Sequence, residues 1–382
     1  MQAARGEALE ALLPLIRSRG GATEASRQPD QDVVRALGEA GLMRMVVPVA
    51  HGGHGIDLVE FIRFGAAVSR AHGSTGWVAT TCNEEAGIAS AHLPASTMQQ
   101  LYRENPAAVV AGSGVPRGRA TKVDDGWNIT GRWTFVSGCT RADHIVLASL
   151  VKGSNRDGPL QLCYVLVERA ACEIEDTWDT VGLRGTGSHD VVLTDHFVPT
   201  EWSGVRPAAS SDAPQTPFYQ LPPGLRFPWP KVGVASGLAR AAIDAFTELA
   251  GAKQPLNLKG QLRDRPIAQN AVARAEALVS SGFSWAIELA DELWSRIDEG
   301  RPVDEVLHAR CRLACSTSVQ NSIQAVELVA SAAGSSANFN SSPFGTLLAD
   351  ARAVAGHFMV APYQVDTAGR VLLGLEAGDI SF

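Results

Sequence analysis

The hydrophobic pattern divides the chain into three stretches with different periods. Up to about residue 105 the apolar positions recur at helical spacing, as at Leu9, Leu12 and Ile16. From 107 to 202 the pattern changes to short apolar runs separated by turn residues, which predicts seven strands, the first two being AVVAGSG at 108–114 and GRATKV at 118–123. Helical spacing returns at Val232 in four segments rich in Ala and Gly.

These periods predict an α+β fold of three domains. We expect an N-terminal helical domain at 1–106, a small β-barrel or sandwich domain at 107–205 and a four-helix bundle at 231–382. The segment 206–230 is rich in Pro and is predicted to be a linker. The predicted helices of the bundle are Val232–Gly251, Pro266–Ile297, Pro302–Ala333 and Pro343–Gly369.

Composition indicates a globular chain and argues against several classes of partner. The 382 residues are 45% hydrophobic and 19% charged, which is enough for a large core. A net charge of -7 argues against nucleic acid or an anionic membrane as the main partner. No apolar run reaches the roughly 18 residues of a membrane span, and acidic residues in the first helix argue against a signal peptide. The six cysteines form no CxxC pair, so we expect free thiols in the cytoplasm and no metal site.

The segment GRWTFVSGC at 131–139 is the clearest candidate for chemistry. Aromatic residues at Trp133 and Phe135 alternate with smaller ones as in a strand, and Ser137 and Gly138 end that strand. Such a turn suits a flat heteroaromatic ring. Trp133 would cover one face, the Ser137 hydroxyl would meet an edge heteroatom, and Gly138 would let the backbone approach. The alternative is an ordinary hairpin with packed aromatic residues.

The domain order and several motifs resemble the acyl-CoA dehydrogenase fold over nearly the whole chain. The glycine loop after Pro48, GSTGW at 73–77, GRWTFVSG at 131–138 and the long motif at 176–199 are similar to the flavin-dependent monooxygenases of this fold. This branch includes phenol and secosteroid hydroxylases and amino-sugar N-oxygenases. The catalytic glutamate of the dehydrogenases has no counterpart at 350–365, and the Arg-x-x-Phe-Gly element that helps to hold FAD is missing.

The resemblance implies a two-component monooxygenase. A separate NAD(P)H:flavin reductase would supply reduced FMN, with FAD as the alternative flavin. O2 would then form a C4a-(hydro)peroxyflavin that oxygenates a small aromatic, indole or amine substrate. A cytoplasmic homotetramer is expected, in which the loop at 338–350 completes a neighbour's flavin site. The alternatives are an FAD-dependent acyl-CoA dehydrogenase, an amino-sugar N-oxygenase and a flavin-free binding protein.

The resemblance also assigns site residues. Ser137 matches a serine beside flavin N5, and Asp350 with His357 matches a pattern whose histidine moves a proton from a C-terminal helix. A buried, hydrogen-bonded helix histidine is the alternative for His357. Glu85 falls where phenol hydroxylases of the branch carry a histidine, so an amine or an indole N–H is expected instead of a phenol. A polar surface face at 83–85 is the alternative.

The predicted catalytic residues are Ser137, His357 and Glu85. The predicted flavin-binding residues are Trp133, Val136, Ser137, Gly138, Ser113, Arg263 and Asp350, although an exposed arginine at 263 could simply be solvated. The predicted substrate-binding residues are Trp77, Asn83 and Glu85.

Overall fold

The computed structural model describes residues 2–153, 161–206, 217–257 and 259–378. Helices, then strands, then helices follow one another along the chain, in the predicted order. The helices are α1 (Gln2–Ser26), α2 (Gln31–Glu39), α3 (Leu58–Ala71), α4 (Gly73–His92), α5 (Ala95–Glu104), α6 (Pro217–Gln220), α7 (Pro223–Arg226), α8 (Trp229–Ala252), α9 (Pro266–Asp298), α10 (Glu305–Ala333), α11 (Phe344–Ala355) and α12 (Tyr363–Leu372). The strands are β1 (Val110–Val123), β2 (Gly126–Val136), β3 (His144–Val151), β4 (Leu162–Glu168), β5 (Glu173–Glu175), β6 (His189–Pro199) and β7 (Ser203–Arg206).

The chain forms two compact units, and the division falls within α4. The first, here called the sheet unit, comprises 1–57, 78–179 and 184–220. The second, here called the bundle unit, comprises 58–77, 180–183 and 221–382. The three domain boundaries expected from the sequence stay a prediction. Among the residues that the structure describes, no helix has the length and apolar character needed to cross a membrane.

The sheet unit contains one seven-stranded sheet in the order β5-β6-β2-β1-β3-β4-β7. β1 runs parallel to β3, and the other paired strands are antiparallel. The structure has seven strands, as predicted, but they do not coincide with the seven predicted segments. The runs AVVAGSG and GRATKV, expected as two strands, belong to β1, while β7 comes from the end of the predicted β domain.

Between Trp133 and Val136, strand β2 contains one extra residue relative to its partner β6. Trp133 pairs with Val191 and Val136 pairs with His189, so three steps along β2 match two steps along β6. Phe135 lies in this bulge with φ 63°, a conformation rare for an aromatic residue. A regular strand would place Trp133 and Phe135 on one face. Because of the bulge, Trp133 and Val136 are buried instead, while Phe135 is 68% exposed.

Close helix packing in the bundle unit depends on glycine. A Cβ atom on Gly233 or Gly237 of α8 would overlap the carbonyl oxygens of Ile62 and Ala66 in α3. Small residues let the two helix backbones approach, as the Ala- and Gly-rich pattern predicts.

The last predicted helix, Pro343–Gly369, is two helices in the structure. α11 ends at Ala355, and α12 begins at Tyr363. Pro362 lacks an N–H group and sits at the start of α12, where a proline is tolerated because that N–H would have no helical partner. His357 therefore lies in the turn between two helices, which corrects its expected place on a helix.

Replacing Gly237 by Ala should lower the free energy of unfolding by about 1–3 kcal/mol, because the added Cβ has no room beside Ala66. Gly251 in the same helix is the matched control, since a Cβ there meets nothing within 4 Å. Gly251→Ala should leave stability unchanged or raise it by up to about 1 kcal/mol. Urea denaturation of both variants measures the difference, and equal midpoints would contradict the packing argument.

Candidate active site

The Ser137 hydroxyl in the sheet unit belongs to a short chain of hydroxyl groups. Its Oγ lies 2.8 Å from Ser188 Oγ, which lies 2.7 Å from Thr186 Oγ1. The Gly138 N–H donates to Thr186 O at 2.9 Å. Thr186 and Ser188 are buried and Ser137 is partly exposed, so the network holds the Ser137 hydroxyl at the edge of the buried region. Neither partner was identified from the sequence, where the only signal is GTGS within the 176–199 motif.

Phe135 and Trp178 form an aromatic pair in the same unit. Their ring centroids are 5.9 Å apart and the rings meet edge to face at 88°. Phe135 lies one residue before the end of β2 and is mostly exposed. The pair thus presents an aromatic surface, and one of its two residues, Phe135, is two positions before Ser137 in the sequence.

Trp133 is a core side chain, which corrects its expected role over a flavin face. The indole is fully buried and its Nε1 donates to Ala148 O at 2.7 Å. Its ring lies so close to Gly118 that a Cβ there would overlap it. Val136 is also fully buried, so its side chain is in the core and only its backbone remains for a flavin contact.

Asn83 on α4 is a structural residue, which corrects its expected role in substrate binding. Its Oδ1 accepts from Met45 N at 2.6 Å, and its Nδ2 donates to Leu42 O and Ala79 O at 2.8 Å. The amide is completely buried and fastens α4 to the segment after α2. Glu84 is also buried, so the alternative of a polar surface face at 83–85 is wrong.

Glu85 reaches strand β1 at Gly112. A Cβ on Gly112 would lie 2.7 Å from Glu85 Oε2, so glycine leaves the space that the carboxylate occupies. Ser113, the next residue, is buried at 9% exposure. Glu85 itself is partly exposed. A carboxylate in this position can accept a hydrogen bond from a polar group of a ligand.

His357 in the bundle unit is held at one ring nitrogen. Its Nδ1 accepts from Met359 N at 3.3 Å, so a neutral ring carries its hydrogen on Nε2. Trp77 approaches the imidazole with centroids 5.8 Å apart at 65°. Phe358 stacks on it at 4.8 Å. Trp77 thus contacts the predicted catalytic histidine, while its role in substrate binding stays a prediction.

Burial lowers the pKa of His357 well below its ordinary value, and the positive charges of Lys231 and Arg312 lower this pKa further. Lys231 is buried, with its Nζ 5.6 Å from the Trp77 ring centroid. Arg312 is fully buried and its Nη1 donates to Gly224 O at 2.7 Å. The imidazole is therefore neutral at pH 7 and offers an Nε2–H donor.

Asp350 has a positioning role in the bundle unit, which corrects its expected contact with flavin. The carboxyl group is buried, and its Oδ1 accepts from Leu183 N at 2.6 Å. Its Oδ2 lies 2.6 Å from the place of a Cβ on Gly73, the first residue of α4. A carboxylate at a helix N-terminus is stabilised by the helix dipole. Arg263 is exposed in a short 3-10 turn, and its contact with a flavin phosphate stays a prediction.

Comparison with known proteins gives matches along nearly the whole chain. The family model for the acyl-CoA dehydrogenase N-terminal domain matches residues 2–100, and that for the C-terminal domain matches 231–362. Indole-3-acetate monooxygenase of Acinetobacter baumannii is 32% identical over 96% of this chain and 94% of its own. The flavin-dependent monooxygenase oxygenase subunit HsaA of Rhodococcus jostii is 30% identical over 91% and 92%. The crystal structure of 3-HSA hydroxylase from Rhodococcus sp. RHA1 has a TM-score of 0.88 at 28% identity, covering 98% of both chains.

Replacing Lys231 by Met should raise the pKa of His357 toward its ordinary value, because one positive charge that disfavours the imidazolium is removed. Lys253→Met is the control, since it removes the same charge from a lysine whose ammonium binds Ala333 O instead. NMR titration of histidine-labelled protein gives the pKa, with the His357 signal identified by its loss in His357→Gln. An unshifted titration in Lys231→Met would contradict the electrostatic argument.

Proposed function

Because the chain belongs to the acyl-CoA dehydrogenase family and to its flavin-dependent monooxygenases, we propose that it oxygenates an indole-type or other small aromatic substrate. It is the oxygenase component of a two-component system, so a separate reductase supplies the reduced flavin that it uses with O2. The dehydrogenase alternative lacks a candidate for the catalytic glutamate at 350–365. Oxygenation of an amine is the second candidate, supported by the Glu85 carboxylate.

The observation that carries this proposal is the exposed Phe135, which lies two residues before Ser137. Phe135 is held in a strained backbone conformation that costs on the order of 1–3 kcal/mol, and such conformations concentrate at functional sites. Its ring supplies a flat apolar face for an isoalloxazine, and the Trp178 edge borders it. Ser137 supplies a hydrogen bond to an edge heteroatom. We favour FMN because the Arg-x-x-Phe-Gly element is missing.

His357 is proposed to hold an oxygen atom of the reacting groups by a hydrogen bond. The bound reduced flavin supplies the activation of O2. The neutral imidazole would donate a hydrogen bond from Nε2 to an oxygen atom and so stabilise negative charge that develops there. The Nδ1 contact with Met359 N keeps the ring in the required tautomer. Its low pKa prevents a second proton from binding at neutral pH.

Glu85 is proposed to select the substrate. A carboxylate accepts a hydrogen bond from an indole N–H or from an ammonium group. The indole is the first candidate, because the Acinetobacter relative is named for indole-3-acetate. Gly112 supports this role, since any larger residue would displace the carboxylate.

A cytoplasmic homotetramer is part of the proposal. In the bundle unit several large apolar side chains after α10 are exposed. They are Phe339, Phe358, Tyr363, Leu372, Leu373 and Leu375. Residues of this kind are typical of subunit interfaces. All six cysteines are free, which suits a reducing compartment.

Stopped-flow absorbance tests the function. Protein with photoreduced FMN is mixed with oxygenated buffer, and a near-ultraviolet transient that outlives the reoxidation of free reduced FMN is expected. Indoles, phenols and amines are then screened for products that contain one atom of oxygen-18 from labelled O2. Reoxidation at the rate of free FMN, together with turnover of an acyl-CoA in the presence of FAD, would overturn the proposal in favour of a dehydrogenase.

Replacing Phe135 by Ala should raise the Kd for reduced FMN about tenfold, since one aromatic contact contributes on the order of 1.4 kcal/mol. Phe197→Ala is the control, because Phe197 is a half-exposed phenylalanine on β6 of the same sheet. Anaerobic fluorescence titration measures both constants. Equal affinity in the two variants would remove Phe135 from the flavin site.

A further inference from the structure

Arg27 holds the segment that carries Trp178. Its Nη1 donates to Asp176 Oδ1 at 2.9 Å, and its Nη2 donates to Asp176 Oδ2 at 2.6 Å. The same Nη1 also donates to Trp178 O at 3.1 Å. A guanidinium paired with both oxygens of a carboxylate fixes direction as well as distance. Arg27 thus determines the course of the chain from Asp176 to Trp178.

Side chains also hold the rest of this segment. Trp178 N donates to His189 Nδ1 at 3.2 Å. Thr177 Oγ1 donates to Asp190 Oδ1 at 3.0 Å, and Asp190 N donates to Thr177 Oγ1 at 3.1 Å. Residues 176–180 belong to no helix or strand. Both backbone polar groups of Trp178 are therefore bound by side chains, and Arg27 provides one of these two attachments.

The position of Arg27 is itself well defined. It is the first residue after α1, where φ is 57° and its N–H donates to Glu24 O at 3.3 Å. Glu24 Oε2 in turn accepts from Gly185 N at 3.2 Å. A Cβ on Gly185 would press on Thr23. The C-terminal end of α1 thus contacts both the Trp178 segment and the segment that leads to Ser188.

We propose that Arg27 is a positioning residue that sets the distance between Trp178 and Phe135. This distance in turn determines how closely the flavin-binding face fits the flavin and excludes water. This inference rests on the proposed function of Phe135 and Ser137. When Arg27 no longer holds the segment, the indole edge moves away from Phe135 and water enters the space beside the ring. Excluding water is what protects activated oxygen in such sites. Reduced flavin is then oxidised without product: O2 accepts two electrons and two protons and leaves as H2O2.

The test compares two conservative substitutions in the full-length enzyme. Arg27→Lys keeps the charge and loses the two-pronged contact with Asp176 together with the contact to Trp178 O. Arg35→Lys is the matched control, because Arg35 forms a single ion pair with Asp32 on α2 in the same unit. Exposed ion pairs contribute little to stability, so both variants should fold.

Three measurements are made on each variant. Acrylamide quenching reports the exposure of Trp178, whose share of the signal from eight tryptophans is isolated with Trp178→Phe. The ratio of H2O2 to oxygenated product and the Kd for reduced FMN report coupling and binding. For Arg27→Lys we expect greater quenching of Trp178, an increased share of H2O2 and a Kd raised about three- to tenfold. Arg35→Lys should match the wild type in all three.

Unchanged quenching of Trp178 in Arg27→Lys would overturn the inference, whatever the enzyme does. Increased quenching with unchanged Kd and unchanged H2O2 would overturn it as well, because the position of Trp178 would then have no bearing on the flavin. Failure of the proposed function is distinguishable: the wild-type protein itself would not bind reduced FMN, and the quenching comparison would still decide whether Arg27 positions Trp178.

Discussion

The extra residue in β2 determines what each aromatic side chain of the central motif does. Because the strand gains one position between Trp133 and Val136, Trp133 turns into the core while Phe135 turns outward. The left-handed backbone at Phe135 is unfavourable, and the buried indole with its hydrogen bond to Ala148 O stabilises the arrangement. The chain then reaches Ser137 with its hydroxyl beside Ser188. The bulge in β2 thus determines the position of both the Phe135 ring and the Ser137 hydroxyl.

In the bundle unit an interruption of regular structure likewise determines the hydrogen bonding of His357. The turn between α11 and α12 frees the backbone N–H of Met359, which binds Nδ1 of His357 and selects its tautomer. A histidine inside a continuous helix would face backbone groups already paired with one another. Buried cations then keep the ring neutral. The tautomer comes from local backbone geometry, whereas the charge state comes from packing.

The order of helices and strands can be predicted from the sequence because hydrophobic periods extend over many residues. The candidate site is harder to predict from the sequence, because it depends on local departures from those hydrophobic periods. Alternation placed Trp133 and Phe135 on one face, and a single inserted residue reverses one of them. Motif spacing singles out Asn83 and Asp350. Their side chains, however, bind backbone N–H groups that are distant in sequence. Spacing identifies such polar residues but does not reveal which groups they bind.

The same distinction underlies the role proposed for Arg27, which lies outside the residues of the candidate site. Strands keep their position through backbone pairing, so Trp133 and Val136 on either side of Phe135 are fixed by their pairs with Val191 and His189. The segment of Trp178 belongs to no regular element, and its backbone groups need side-chain partners. Arg27 meets that need from the end of the first helix. Where an irregular segment borders a binding face, the residues that hold the segment determine how precisely the side chains of that face are positioned. Under the proposed function, such residues would affect how well oxygen transfer is coupled without touching the reacting atoms.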